Sequence, residues 1–301
     1  MSLQLLLDPH TVEEFMRAWP PSPQLLKLPN DGHSLTSQIS TDTILDILDT
    51  GCFPPTDVNV IKNDTVRHPR LFTTNDRLDP AKLRQWRDRG HTVQLRHLER
   101  WLPTVATITE SIQHETGSTN YLSAFVTPAE NQGLQHHWDQ YLSLVVQLAG
   151  TKTWDLWKPK ASDPTRAHSS TGELWQNQWL DEWTSTGPDL SFDLNPYHVL
   201  VVPRGWVHNP HNDASTESVH LTFVIKERTP LWIAEHLVAA AINDRRFRLS
   251  IPPRDLAPEA LARQVEETRA LLIRHLNTLN VHDYVRILRE AADREKDPDR
   301  V

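Results

Sequence analysis

His137 and Asp139, one residue apart, and His208, about seventy residues downstream, are the side chains of this chain whose types could do chemistry together. Two imidazoles and one carboxylate make the facial triad that holds non-haem Fe(II) on one face and leaves positions open opposite. Those open positions admit a cosubstrate and O2, so the constellation points to oxygen activation. An H-x-D pair alone carries little weight among 16 histidines and 39 acidic residues, but its flanks raise it. After Asp139 one face runs Tyr141, Ser143, Val145, Gln147 and the other Leu142, Leu144, Val146, Leu148, ending at Gly150. So apolar a strand is buried, and charge buried at its start needs a partner such as a metal ion.

The elements that must position these groups follow from strand geometry. Residues two apart share a face, so on a strand His137 and Asp139 reach into a barrel while Trp138 points away. The third ligand has to come from elsewhere. Val199–Val202 reads as a buried strand and Pro203-Arg204-Gly205 as the turn after it, with His208 just beyond. His211 competes for that role, although Pro210 between the two favours a turn. His136 would point to the face opposite His137 and reads as structural. Lys152 shares a face with Trp154 and Leu156 on the strand after Gly150. A lysine there either meets an anion, for which its ammonium is a suitable point charge, or snorkels to water.

The run "GLQHHWDQYLSLVVQLAGTKTWDLW" (133–157) resembles the H-x-D strand, Q-L-x-G turn and G-x-K-x-W strand of the bacterial JmjC-type cupin hydroxylases, relatives of the ribosomal-protein oxygenases. "PRGWVHNPH" (203–211) is similar to that family's distal-histidine segment and "ESVHLTFVI" (217–225) to the strand that follows. Weaker likeness in "LLLDPHTVEEFMRAWPPSPQLLKL", "GHTVQLRHLERWLPTVATITESI" and "DRRFRLSIPP" extends the resemblance over most of residues 1–255. It implies an α+β fold with a double-stranded β-helix (jelly-roll, cupin, JmjC-type) barrel at 120–228. N-terminal helical and strand elements at 1–119 would pack on that barrel, and a helical region would follow at 229–301.

The same resemblance implies His137, Asp139 and His208 as the iron ligands and Lys152 as the partner of the distal carboxylate of 2-oxoglutarate. Fe(II), 2-oxoglutarate and O2 are then expected, with hydroxylation of a side chain in a peptide or protein. That substrate would be a ribosomal protein or a ribosomally made natural-product precursor; demethylation of methylated lysine or arginine uses the same machinery. Two departures bear on the cosubstrate. Ser123-Ala124-Phe125 stands where the family has Asn-x-Tyr, which leaves Ser123 as a shortened contact, and Tyr197-His198 stands where it has Gly-Asp. His220, on a face with Ser218 and Thr222, either lines the cosubstrate pocket or sits as a hydrogen-bonded core histidine. Other classes stay open: a small-molecule cupin enzyme working without 2-oxoglutarate, and a non-catalytic cupin binding module.

Between the metal-bearing strands, 159–195 is the most individual stretch. Trp175, Trp179 and Trp183 recur every four residues and would form one stripe on a short helix. The stripe is either buried against the barrel or a lid and platform for a peptide substrate, since aromatic side chains are efficient anchors. Residues 10–19 read as a helix with Thr11 as cap and Glu14 at the capping-box position. Beyond Pro230 the pattern is helical, with Leu261, Val265, Thr268 and Leu272 at helical spacing. In the related oxygenases such a region dimerises and a winged helix follows. A homodimer through residues 230–295 is the corresponding expectation here, against helices that pack on their own barrel, and no complete winged helix fits before Val301.

Composition frames the chemistry. A net charge of -8 argues against a general nucleic-acid surface. No apolar stretch approaches membrane-spanning length, and Cys52 is the single cysteine, so no disulfide framework is possible. A cytoplasmic protein is the expectation.

Overall fold

In the computed structural model, which describes residues 2–168 and 175–295, the chain divides into two units, Met1–Lys226 and Glu227–Val301. The first unit is organised by strands. Its N-terminal part contributes β1 (Gln24–Lys27), β2 (Val58–Lys62), β3 (Thr65–Val66), the short hairpin β4 (Thr73–Thr74) and β5 (Arg77–Leu78), and β6 (Thr92–Leu95). There follow β7 (Thr119–Thr127), β8 (Leu142–Ala149), β9 (Lys152–Trp157) and β10 (Leu190–Leu194). Then come β11 (His198–Val202), β12 (Val207–His211) and β13 (Ser218–Lys226).

One antiparallel sheet runs β1-β11-β8-β13-β7-β6-β2-β3, and a second runs β10-β9-β12. The expected α+β double-stranded β-helix is what these two sheets build. Four N-terminal strands (β1, β2, β3 and β6) are members of the large sheet itself, not a layer laid on it.

Alternation along the central strands decides which side is core and which is cavity. The even positions Leu122, Ala124 and Val126 of β7, Leu144 and Val146 of β8, and the odd positions Leu221, Phe223 and Ile225 of β13 share one apolar core. Helices contribute to that core as well: α1 (Pro9–Arg17) with Val12 and Phe15, the single turn α2 (His33–Thr36) with Leu35, and α3 (Thr41–Thr50) with Ile44, Ile47 and Leu48. Leu83 of α4 (Pro80–Asp88) joins it, and α5 (Pro103–Thr116) adds Val105, Ile108 and Ile112. The opposite positions, among them Ser123, Phe125, Ser143, Val145, His220 and Thr222, line a cavity.

Two local expectations are corrected. Asp8, not Thr11, caps α1: its carboxylate accepts from the amides of His10 and Thr11, and the Thr11 hydroxyl donates to it at 2.6 Å. Pro9 then takes the first helical position, where its missing N–H costs nothing. The helix α6 (Gln178–Thr186) starts after Trp175, so the three tryptophans do not share one helix. Between β8 and β9 the chain turns at Gly150, whose φ of +66° is open to glycine and where a Cβ would lie 2.2 Å from the Glu217 carbonyl oxygen.

The second unit is helical: α7 (Pro230–Ala239), α8 (Pro258–Thr278) and α9 (Val281–Arg294). It leaves large apolar side chains exposed, including Val265 at 59 % and Val281 at 72 %. Among the described residues no helix is long and apolar enough to cross a membrane.

Candidate metal and cosubstrate site

An isolated antiparallel pair brings the two histidines together across the sequence. His137 N donates to His208 O at 3.1 Å, and His208 N donates to His137 O at 2.8 Å. Residues so paired send their side chains to the same face, and the ring centroids lie 4.1 Å apart. The H-x-D segment itself is not strand, contrary to expectation, because β8 begins only at Leu142. Asp139 is tied instead through its carbonyl, which accepts from Gly205 N at 2.8 Å in the turn before β12.

Ligand atoms of His137, Asp139 and His208 all lie within 4.8 Å of one another. His208 Nε2 is 3.8 Å from Asp139 Oδ2. Both imidazoles are held in one tautomer: Nδ1 of His137 is 2.7 Å from Gln135 O, and Nδ1 of His208 is 3.0 Å from Trp206 O. A carbonyl can only accept, so each Nδ1 carries the proton and each Nε2 keeps its lone pair for a metal. Burial, with His137 beside it, pushes the His208 pKa down to about 4, which keeps the ring in the neutral, ligating form. Ser143 Oγ donates to Asp139 Oδ2 at 3.3 Å. Two neutral imidazoles and a carboxylate at this spacing fit a divalent ion of the Fe(II) type.

The three ligands border a cavity of ≈ 140 Å³ that Lys152 also lines. That lysine is 3 % exposed, so it does not reach water. Its Nζ donates to Thr127 Oγ1 at 3.0 Å, which accepts in turn from the Thr92 hydroxyl at 3.1 Å. Burial pushes its pKa down to about 7. Ser123 sits across from Thr222 in register, both on the cavity wall. His220 is buried and stacked on Phe125 at 4.8 Å and 9°. Burial first, then the neighbouring Lys152, holds its pKa well below the usual histidine value. Among the described residues its buried Nδ1 has no hydrogen-bond partner, which suits the unprotonated nitrogen of a neutral ring.

The other sequence candidates lie elsewhere. His211 pairs with Asp213 at 3.1 Å and is not on the cavity wall. His136 stacks on Trp183 at 5.5 Å and 9°. Trp183 is buried with Trp138, Trp157 and Val207, while Trp175 and Trp179 pack half-buried on that cluster. Sequence reasoning passed over Ser143, Thr127 and Thr92. The first falls on the same alternate positions as Asp139, a signal that was present; the threonines support Lys152 from strands remote in sequence.

Residues 94–231 match the family model of the JmjC domain. A lysine-specific demethylase and histidyl-hydroxylase NO66 of Brugia malayi is 24 % identical over 264 residues, covering 85 % of this chain and 36 % of that protein. The chain thus spans about a third of that relative's length. The YxbC protein of Bacillus subtilis is 25 % identical over 263 residues, covering 82 % of this chain and 77 % of its own. Among solved structures, YcfD of Escherichia coli, a ribosomal oxygenase in complex with cobalt and 2-oxoglutarate, superposes with a TM-score of 0.57 at 15 % identity. That match covers 95 % of this chain and 71 % of YcfD, and shows a shared fold. Both ligand-bearing segments and Lys152 lie inside the stretch that matches the JmjC domain.

Proposed function

We propose that this protein is an Fe(II)- and 2-oxoglutarate-dependent oxygenase that hydroxylates an amino-acid side chain in a peptide or protein. The observation that carries the reading is one cavity holding two Nε2-presenting histidines, a carboxylate and a buried lysine. Fe(II) bound by His137, Asp139 and His208, with 2-oxoglutarate and O2, supplies the oxidising power for attack on an unactivated C–H bond. The chain's own residues bind and orient. His137 and His208 offer neutral nitrogen donors and Asp139 the charge that balances the metal.

Lys152, with no carboxylate partner among the described residues, receives the distal carboxylate of the cosubstrate, and that partner would restore the full ammonium that burial disfavours. Ser123 and His220 complete the same wall. The low-dielectric surroundings that depress both pKa values also strengthen each of these contacts.

The substrate is read from the relatives. YcfD is a ribosomal oxygenase and the NO66 protein carries both hydroxylase and demethylase activity in its name, so a ribosomal-protein side chain comes first. A natural-product precursor peptide comes second, and demethylation third. Trp175 and Trp179, half-buried above Trp183, offer apolar surface to a bound peptide. The exposed apolar residues of α7 to α9 suit a homodimer; sedimentation of the protein and of Val265→Asp tests it, with a monomeric wild type against it. A cytoplasmic site agrees with the single free cysteine, Cys52.

Anaerobic titration with Fe(II) and 2-oxoglutarate, followed by the visible charge-transfer absorption of the chelate, tests the activity class. The band should vanish in His137→Ala and need far more cosubstrate in Lys152→Ala. No band in the wild type with iron bound would overturn the 2-oxoglutarate reading. Mass spectrometry of candidate peptides then separates hydroxylation, a gain of one oxygen, from demethylation, a loss of methyl.

A further inference from the structure

We infer that the tryptophan cluster of the 159–195 segment is a positioning device for the metal ligands, with Trp183 as its central positioning residue; this rests on the metal-site reading above. The ligand segment lacks a strand's continuous hydrogen bonding. Its backbone is tied by the His137–His208 pair, by Asp139 O to Gly205 N, and by Gln135 N to the Asp64 carboxylate at 2.7 Å. What sets the side-chain directions is the alternate face. His136 and Trp138 flank His137, and both pack into the same cluster while His137 and Asp139 face the cavity.

The contacts are specific. Trp138 is 3 % exposed and its indole N–H donates to His168 O at 2.9 Å. Trp175 stacks on it at 5.7 Å, and Trp179 lies at 6.0 Å. His136 contacts Trp157 at 4.8 Å and lies parallel to Trp183. Trp157 anchors the cluster to β9 and ties its own N–H to Gly187 O at 2.7 Å, just past the end of α6. Val207, the neighbour of His208, closes the cluster from β12. One packed unit therefore grips the residues adjacent to all three ligands, and Trp183, on α6, is its buried helical member. Rotating or loosening the H-x-D segment means unpacking that unit, so the cluster pre-organises the two imidazoles and the carboxylate before a metal arrives.

The test compares Trp183→Ala and the conservative Trp183→Phe in the full chain, with Trp86→Ala as a control tryptophan outside the cluster. Mn(II) affinity, from the EPR signal of free ion, should fall about 10- to 100-fold in Trp183→Ala and recover in Trp183→Phe. The control should keep the wild-type affinity. Hydrogen–deuterium exchange of residues 134–141 in the metal-free protein should accelerate in Trp183→Ala alone. If Trp183→Ala does not fold, His136→Ala, which trims the cluster at its edge, should show both effects in weaker form. Affinity within twofold of wild type, or unchanged exchange at 134–141, would overturn the inference. A wild type that binds no Mn(II) would defeat the metal-site reading instead, and the exchange measurement would still decide the positioning role.

Discussion

Replacing Lys152 by methionine should make the metal-free protein more stable while weakening its hold on 2-oxoglutarate. The side chain is 3 % exposed, its Nζ has Thr127 Oγ1 as partner, and burial moves its pKa from 10.5 to about 7. At about 1.4 kcal/mol for each pH unit, that gap sets a ceiling of about 5 kcal/mol on what the buried amine costs the fold. The hydrogen bond to Thr127 offsets roughly 1 kcal/mol of it, and Thr127 keeps the Thr92 hydroxyl as donor after the change. Apolar replacement of buried ionic groups gains about 1–4 kcal/mol, which is the range expected for Lys152→Met.

The pH dependence gives the sign. Because the native pKa lies below the unfolded one, between about pH 7 and 10.5 the unfolded chain holds a proton that the native chain has lost. Wild-type stability therefore rises with pH through that window. The advantage of the methionine variant is full below about pH 7 and fades above it. Urea unfolding of the metal-free proteins at several pH values, read by tryptophan fluorescence, measures this directly. In parallel, calorimetric titration of 2-oxoglutarate in the presence of Mn(II) should show affinity reduced at least about 100-fold, since removing one partner of a buried ion pair costs about 3–5 kcal/mol. A methionine variant less stable than wild type near pH 6, or an advantage that grows with pH, would refute the reasoning.

Further expectations follow from single contacts. Ser143→Ala removes the 3.3 Å hydrogen bond to Asp139 and should weaken Mn(II) binding about tenfold with unchanged circular dichroism; an unaltered affinity would mean the hydroxyl does not orient the carboxylate. Gly150→Ala places a Cβ 2.2 Å from a backbone oxygen at a left-handed φ, and the thermal midpoint should fall by an amount equivalent to more than about 2 kcal/mol. Asp8→Ala loses the α1 cap, with its 2.9 and 3.1 Å amide bonds, at an expected cost of about 1 kcal/mol by thermal unfolding, while metal binding stays unchanged.

Local patterns made much of this molecule legible before any coordinates. The apolar run from Leu142 to Leu148 and the valines before Pro203 announce buried strands, and they are β8 and β11. Gly150 marks the turn between β8 and β9 because only glycine tolerates its backbone there. The helix at the N-terminus was visible, but its cap was misplaced: Asp8 and Thr11 are both capping types, and only the amide directions show which one accepts. The tryptophan spacing suggested one helical stripe, yet α6 begins after Trp175 and the three rings meet through folding of the segment rather than helical periodicity.

The division between the two sources of information has a physical basis. By itself the sequence determined the residue types of the triad, the period-two alternation that splits each central strand into a core side and a cavity side, and the lysine placed on the cavity side. Those are properties of a few consecutive residues, governed by strand geometry and side-chain chemistry. Only the tertiary structure decided that His137, itself outside any regular strand, pairs with His208, that both rings present Nε2, and that Thr127 and Ser143 support Lys152 and Asp139. Those facts depend on which distant segments lie side by side and on where backbone carbonyls end up. Non-local pairing and packing set them, and no local pattern encodes them.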